Sequence, residues 1–336
     1  MDNLFKTRTL TRAVNAMRAP GRYIAQTYFN PQLRGEDTDR LAFDIISGSE
    51  GVLANIGVAE PAVVGTKTGR KTITLTAPRL SEKRLIHTYE MNALRGFGVQ
   101  GMTERLKTRI AREQFDMRNK VDRTIEFYCA YALRGKIYDS DLSTVLVDYN
   151  LDEGHAPTLE GTDRWSDSDD SDPLADIRAW KLLIEDDSGH EITGWSALCG
   201  SSAMTALLNN DKVLELLKYT KGAELLGRAR VLDIAGVNIV EYNASFKDTA
   251  GVRRRFVEPT DFILIGEGVD VFDFPYARVV DEEDQGGVGN DGAPTLLFSN
   301  SWVEKDPSGR WIKVESRPLP VVKRPDAIVH ATVTAS

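Results

Sequence analysis

The sequence holds few of the residues on which most catalytic and metal sites are built. It has two cysteines in 336 residues, Cys129 and Cys199. Each stands alone in an apolar setting, EFYCAYAL and ALCGSSA, with no CxxC and no Cys/His ligand spacing. That excludes a disulfide framework and a structural zinc site, and predicts buried thiols in a reducing compartment. The four histidines, His87, His155, His190 and His330, are far apart and carry no metal-binding period. G-x-S-x-G, HExxH and a Cys with a nearby His are all missing. No apolar run approaches the roughly 18 residues that span a membrane, and no signal-peptide pattern opens the chain. No internal repeat is visible. Hydrophobic residues at 41% and charged residues at 27% are ordinary for a chain that buries a core, and the length fits about two domains.

What is present is unevenly charged. The net charge is -8. Residues 1–34 hold Lys6, Arg8, Arg12, Arg18, Arg22 and Arg34 against Asp2 alone, a net +5 that leaves -13 for the remainder. A basic arm on an acidic body predicts an arm lying on something else, nucleic acid or an acidic neighbour. An Arg-rich start also fits an organelle transit peptide.

Local patterns predict an α+β protein. In 63–91, KTITLT alternates, APRLSEK carries turn residues and RLIHTYE is β-rich, which reads as a long hairpin. So few apolar residues on a two-stranded ribbon predict a partner against which it lies. From 102 to 134 a stripe of Met102, Leu106, Ile110, Met117, Val121, Ile125, Tyr128 and Ala132 predicts one long helix, with Gln114 filling its only gap and Gly135 as its stop. Charged pairs four apart, Arg109 with Glu113, Arg112 with Asp116 and Arg118 with Asp122, support it. A second helix is expected over 173–187, with Asp172 as N-cap and Pro173 at its first position. VLELLKYT (213–220) has helical period. Short strands are expected in ARVLDIAG, VNIVEYNASF, DFILIGEG and AIVHATV, and a Gly-rich acidic loop over 282–294.

Three stretches imitate chemistry. GFGVQG (96–101) fits G-x-G-x-x-G, but no buried apolar strand precedes it and no parallel strand follows the helix, so a joint between ribbon and helix explains its glycines better than a dinucleotide cradle. GTKTGRKT (65–72) imitates a phosphate-binding loop but has Arg70 where the second glycine belongs. Asp167, Asp169, Asp170 and Asp172 hint at a calcium loop, yet Asp172 and Arg178 occupy the positions that need Gly and Glu. Capping of the following helix is the stronger account. No catalytic, cofactor-binding or metal-binding residue is nominated.

Several stretches together resemble the lambda-type major capsid protein E family of tailed phages. GRKTITLTAPRLSEKRLIHT (69–88) looks like that family's extended loop, with Thr76, Pro78 and Lys83 at the tip. AYALRGKI (130–137) is similar to the end of its spine helix. RWSDSDDSDPLADIRAW (164–180) resembles the segment leading to its axial domain, and WVEKDPSGRWIKVESRPLPVVKRPDAIVHATV (302–333) its C-terminal signature. The resemblance runs co-linearly from about residue 60 to the end.

This resemblance implies the tailed-phage capsid fold. The expected parts are an N-terminal arm (1–40), an extended loop with β-hairpin (41–95), a peripheral domain (96–188) with spine helix 102–134, a mixed-sheet axial domain (189–317) and a C-terminal strand segment (318–336) returning to the core. The implied function is structural: self-assembly as hexamers and pentamers into an icosahedral head enclosing double-stranded DNA. The implied partners are a scaffold/protease, a portal and a decoration protein. The implied location is the virion, assembled in the host cytoplasm. On this reading Arg12, Arg18, Arg22, Lys67, Arg70, Lys71 and Lys83 are candidate inter-subunit contacts, and Gly96, Gly98 and Gly101 a candidate hinge. The alternatives are a cellular nanocompartment shell of the same broad fold, another virion part such as a tail protein, or an oxidoreductase using GFGVQG.

Overall fold

A computed structural model describes residues 5–17, 22–29, 34–38, 40–47, 69–87, 102–188, 192–219, 231–268, 270–279, 295–306 and 308–335. GFGVQG, residues 65–68 of GTKTGRKT and the 282–294 loop lie outside them. Along the chain, helix α1 (Thr7–Ala16) precedes a π-type turn (Ala25–Phe29), strands β1 (Arg34–Glu36), β2 (Arg40–Ser47), β3 (Gly69–Thr76) and β4 (Leu80–His87), and helix α2 (Met102–Ala132). Next come β5 (Lys136–Tyr138), β6 (Val145–Asp148), α3 (Pro173–Ser188), β7 (Gly194–Cys199), α4 (Ser201–Asn209) and α5 (Asp211–Tyr219). β8 (Val231–Ile234), β9 (Val237–Glu241), β10 (Ser245–Lys247), β11 (Arg253–Arg255) and β12 (Asp261–Glu267) follow. The chain closes with β13 (Phe272–Asp273), β14 (Pro275–Ala277), β15 (Phe298–Glu304), β16 (Gly309–Ser316), β17 (Val321–Val322) and β18 (Ile328–Thr332).

The chain divides into two compact units, each built from three segments. One comprises Met1–Leu41, Leu75–Ala130 and Asp273–Val321, the other Ala42–Thr74, Tyr131–Phe272 and Val322–Ser336. This departs from the contiguous axial domain expected over 189–317: residues 273–317 belong with the first unit. The reason is strand pairing. β16 lies between β15 and β4 in a three-stranded antiparallel sheet, and all eight residues of β4 pair with it, from Leu80 opposite Ser316 to His87 opposite Gly309.

The same pairing corrects the expected hairpin. β3 pairs with β2, not with β4. The turn-rich Ala77-Pro78-Arg79 is therefore a crossing between two sheets rather than a ribbon tip. Ala77 is buried, and Arg79 forms a two-pronged ion pair with Glu315 of β16, at 2.7 and 2.9 Å. Alternation specifies a strand, but it does not specify which strand lies beside it.

In the first unit α1 lies against β15, and the sheet buries Ile86, Phe298, Ile312 and Val314. On the strands, Trp302 sits opposite Trp311 and the rings stack at 6.2 Å.

The second unit carries a five-stranded sheet in the order β18-β12-β7-β9-β8. β12 lies between β18 and β7 and is buried at every position but Glu267, so DFILIG reads as an apolar run rather than an alternation. β7 and β9 are parallel, which demands a crossover, and α4 and α5 lie in that connection. β8 and β9 are joined by two residues, Ala235 and Gly236, with φ of 55° and 70°. Two left-handed residues make the turn type that matches strand twist. α3 begins as expected: Asp172 Oδ1 accepts from Ala175 N at 3.1 Å. Trp165 stacks on Trp180 and meets Phe262 edge-on with centroids 5.0 Å apart, and its indole N–H donates to Asp176 at 2.8 Å. The motif RWSDSDDSDPLADIRAW is thus a core-building device, in which both tryptophans close over β12.

The long helix ends at Ala132, two residues before the expected limit. The chain turns through Gly135 (φ 87°), whose N–H bonds Ala132 O at 3.0 Å. No helix among the described residues is long and apolar enough to cross a membrane.

Candidate assembly surfaces

The arm is the first surface to consider, because its charge predicts contact with something outside the chain. Its described residues instead fold onto their own unit. Leu10, Val14, Ile24, Ala25, Tyr28 and Phe29 are buried. Polar contacts then fix the register. Thr11 Oγ1 donates to Ser299 O at 3.0 Å and accepts from Ser299 N at 2.9 Å, a pairing like that of a strand neighbour. Asn15 donates to Leu297 O at 2.7 Å, and Ser301 to Phe5 O at 3.3 Å. The Arg310 guanidinium stacks 3.7 Å from the Phe5 ring.

Helix α2 supplies the other side of this clamp. Gln114, the one polar residue in the apolar stripe, is 1% exposed and donates to Leu10 O at 3.3 Å and Ser299 Oγ at 3.0 Å. Arg118 donates to Val14 O and Asn15 O and pairs with Asp122 at 3.2 Å. Glu126 accepts two backbone N–H groups, from Ile24 at 2.8 Å and Ala25 at 3.0 Å, and so caps the start of the π-type turn. Asp122 is fully buried. Burial pushes its carboxyl above the usual value, against the pull of Arg22 and Arg118. A patterned helix face is visible in the sequence. That Gln114, Arg118, Asp122 and Glu126 point inward to hold the arm was not foreseen, and the gap filled by Gln114 was the only local signal of it.

The candidate contact residues separate accordingly. Arg22 is corrected: its guanidinium lies 3.4 Å from Asp122 with only 14% of the side chain exposed, so it holds the arm to its own helix. Arg12 is exposed on α1. Lys83 is exposed on β4, with its ammonium 4.7 Å from the Trp311 ring centroid. Arg70 and Lys71 lie on β3. Arg18, Lys67, Gly96, Gly98 and Gly101 lie outside the described residues. Beneath Lys83, β4 carries a network to α2: Arg84 pairs with Glu113 at 2.7 Å, and Lys120 with Glu82 at 2.7 Å.

In the second unit the acidic run 167–172 is committed locally. Asp167 accepts from Asp169 N and Asp170 N at 3.3 Å, and Asp172 caps α3 and pairs with Lys212 at 3.1 Å. Among the described residues no group of three or more His, Cys, Asp or Glu is placed to hold a metal. Burial pushes the Cys129 and Cys199 thiols well above their ordinary value, which removes the reactive thiolate. An open groove of about 490 Å³ runs past Trp165, Ser168, Ser201, Ser202, Thr205 and Asn209. Its walls carry no titratable side chain. The first N–H groups of α4, on Ser202 and Ala203, already bond Pro259 O at 2.9 Å. Among the residues lining the groove, Ser201 and Ser202 have no base beside them.

Comparison with known proteins agrees with this architecture. A family model described as phage major capsid protein E matches residues 6–333. Among solved structures, one described as the capsid protein of an E. coli CFT073 prophage is 17% identical, with 98% of this chain and 99% of that chain covered and a TM-score of 0.66. The mature capsid of bacteriophage PhiM1 is 9% identical over 95% and 91% of the two chains at a TM-score of 0.54. The capsid of cyanophage P-SCSP1u is 13% identical over 90% and 86% at 0.52. No curated protein matches by sequence. At these identities the structures establish a shared fold, that of tailed-phage shells. With a match spanning nearly its whole length, the chain belongs to the phage major capsid protein E family.

Proposed function

We propose that this capsid protein assembles with itself, as hexamers and pentamers, into an icosahedral head that encloses packaged double-stranded DNA. The family match over 6–333 is the observation that carries the reading. The role is structural, in the shell of the virion, and calls for no catalytic cleft. The ribbon of β2 and β3 takes no third strand among the described residues. A two-stranded ribbon is marginal by itself in water, and a neighbouring subunit would support it. The acidic body would repel phosphates, which keeps packaged DNA from adhering to the wall. A scaffold/protease, a portal and a decoration protein are the expected partners, and assembly is expected in the host cytoplasm. The nanocompartment alternative is weaker, because the family match lies on the phage side.

Gly96, Gly98 and Gly101 stand just before α2 and are proposed as the hinge about which the preceding loop swings as the shell expands. Gly96→Ala with Gly98→Ala should then block expansion without blocking assembly, and unchanged expansion would remove the hinge. For the function itself, the chain is expressed with and without its scaffold and imaged by negative-stain electron microscopy. Closed round shells or capsomer rings are expected. Tubes would assign it to a tail, and a discrete dimer or tetramer that binds a nucleotide would restore the oxidoreductase reading.

A further inference from the structure

Two short antiparallel ribbons of the second unit, β5–β6 and β10–β11, meet at their turns, where Thr249 Oγ1 approaches Ser140 O at 3.5 Å. Neither ribbon takes a third strand among the described residues. Ribbon surfaces that face water are ordinarily polar on that side. This corner instead leaves three branched apolar side chains open: Val145 at 46%, Leu146 at 39% and Val252 at 52%. Scattered apolar residues need no explanation, but three on adjoining ribbons are the pattern of a contact surface.

The charges around them are separated by sign. The β5–β6 turn presents Asp139 and Asp141, both exposed. Asp141 accepts from the backbone and hydroxyl groups of Ser143 and Thr144 at 2.7–3.1 Å, which holds its carboxyl well below the usual range and keeps it an anion. The β10–β11 ribbon presents cations at the start of β11. Arg254 is taken by Asp248 at 2.9 Å, while Arg253 is exposed.

We propose that these two ribbons form a head-to-tail contact between copies of this chain. The acidic 139–141 turn of one copy meets Arg253 of the next, and Val145, Leu146 and Val252 are covered beneath. A second copy is the occupant because the corner carries both signs: a polyanion would be repelled by half of it, whereas a rotated copy pairs each sign with its opposite. A contact that joins two different patches closes into rings when the rotation closes, which is the geometry a capsomer needs. The proposal rests on the self-assembly argued above.

The test uses full-length Asp139→Lys, Arg253→Glu and the double variant, with circular dichroism to confirm folding and sedimentation velocity to read the assembled fraction. Each single variant sets like charges opposite one another and should lower the assembly constant about tenfold or more. The double variant restores an opposite pair across the contact and should recover most of the loss. Val252→Asp, at a half-open site, should cause a similar loss and carries the test if Asp139→Lys does not fold. Singles that assemble like the wild type, or a double no better than either single, would overturn the contact and leave the corner to some other occupant. A wild-type chain that never assembles, with or without scaffold, would instead overturn the assembly reading and this contact with it.

Discussion

The two units of this chain are held together in different ways. The second unit is an apolar sandwich: Trp165, Ile177, Ile184, Phe262, Leu264 and Val329 are each at most 1% exposed, and Asp261 is its one deeply buried carboxylate among the described residues. The first unit buries Glu113, Arg118, Asp122, Glu126 and Glu315, each at 8% exposure or less. Apolar burial is nondirectional and supplies stability. Buried charges are costly unless paired, and their hydrogen bonds select one partner geometry. Both units join three segments remote in sequence, but in the first it is polar contacts that name the partners. Glu126 binds the backbone of 24–25, Arg118 that of 14–15, and Gln114 joins Leu10 to Ser299.

The comparison breaks most sharply at Arg118. Its loss removes donors from Val14 O and Asn15 O and strips Asp122 of its nearest cation. Arg118→Ala should therefore cost about 3–5 kcal/mol and expose the arm to protease, read by denaturant titration and by cleavage within the first thirty residues. An arm as protected as in the wild type would show that apolar burial alone holds it. In the second unit, Leu264→Ala should cost about 2–5 kcal/mol while Leu264→Met costs less than about 1.5 kcal/mol. The same denaturant titration separates the two. Equal costs would mean that the sheet is not packed as closely as its burial implies.

Acid gives a smaller effect. Burial alone would raise Asp261, but His330 at 2.9 Å and Arg134 at 3.4 Å outweigh it, and the net shift is downward. A depressed carboxyl contributes stability above its ordinary value, lost as pH falls through its folded one. The second unit should thus weaken below about pH 4. Asp261→Asn should be less stable at neutral pH yet lose less between pH 6 and 3, followed by thermal melts. An unchanged acid limb would assign the loss to other carboxylates. The smallest effect on the monomer is expected from Arg70→Glu with Lys71→Glu on β3, within about 0.5 kcal/mol, but with reduced particle yield. Normal yield would remove both residues from the candidate contacts.

Much of the second unit was legible because its signals are local. Asp172-Pro173 starts a helix, DFILIG is a buried strand, and the stripe from Ile110 to Ala132 sets the long helix of the first unit. The partner of β4 was not legible, since the β-rich RLIHTYE is satisfied equally by KTITLT nearby and by a strand more than two hundred residues away. The arm misled for a related reason. Its cations are conspicuous in the sequence, whereas the residues that decide where it lies are few: Leu10 and Val14, four apart on one face of α1, and Ile24 beyond the helix. Arg22 looked like an outward contact because Asp122, its buried partner, belongs to a face that reads as solvated charge.

The most direct measurement is a cryo-electron microscopy map of the particle formed by the full chain. It should show a closed shell whose subunits keep Thr11 against their own Ser299 and the β18-β12-β7-β9-β8 sheet intact. A chain that forms no shell, or subunits whose first helix has left its own β15 for a neighbour, would contradict the account.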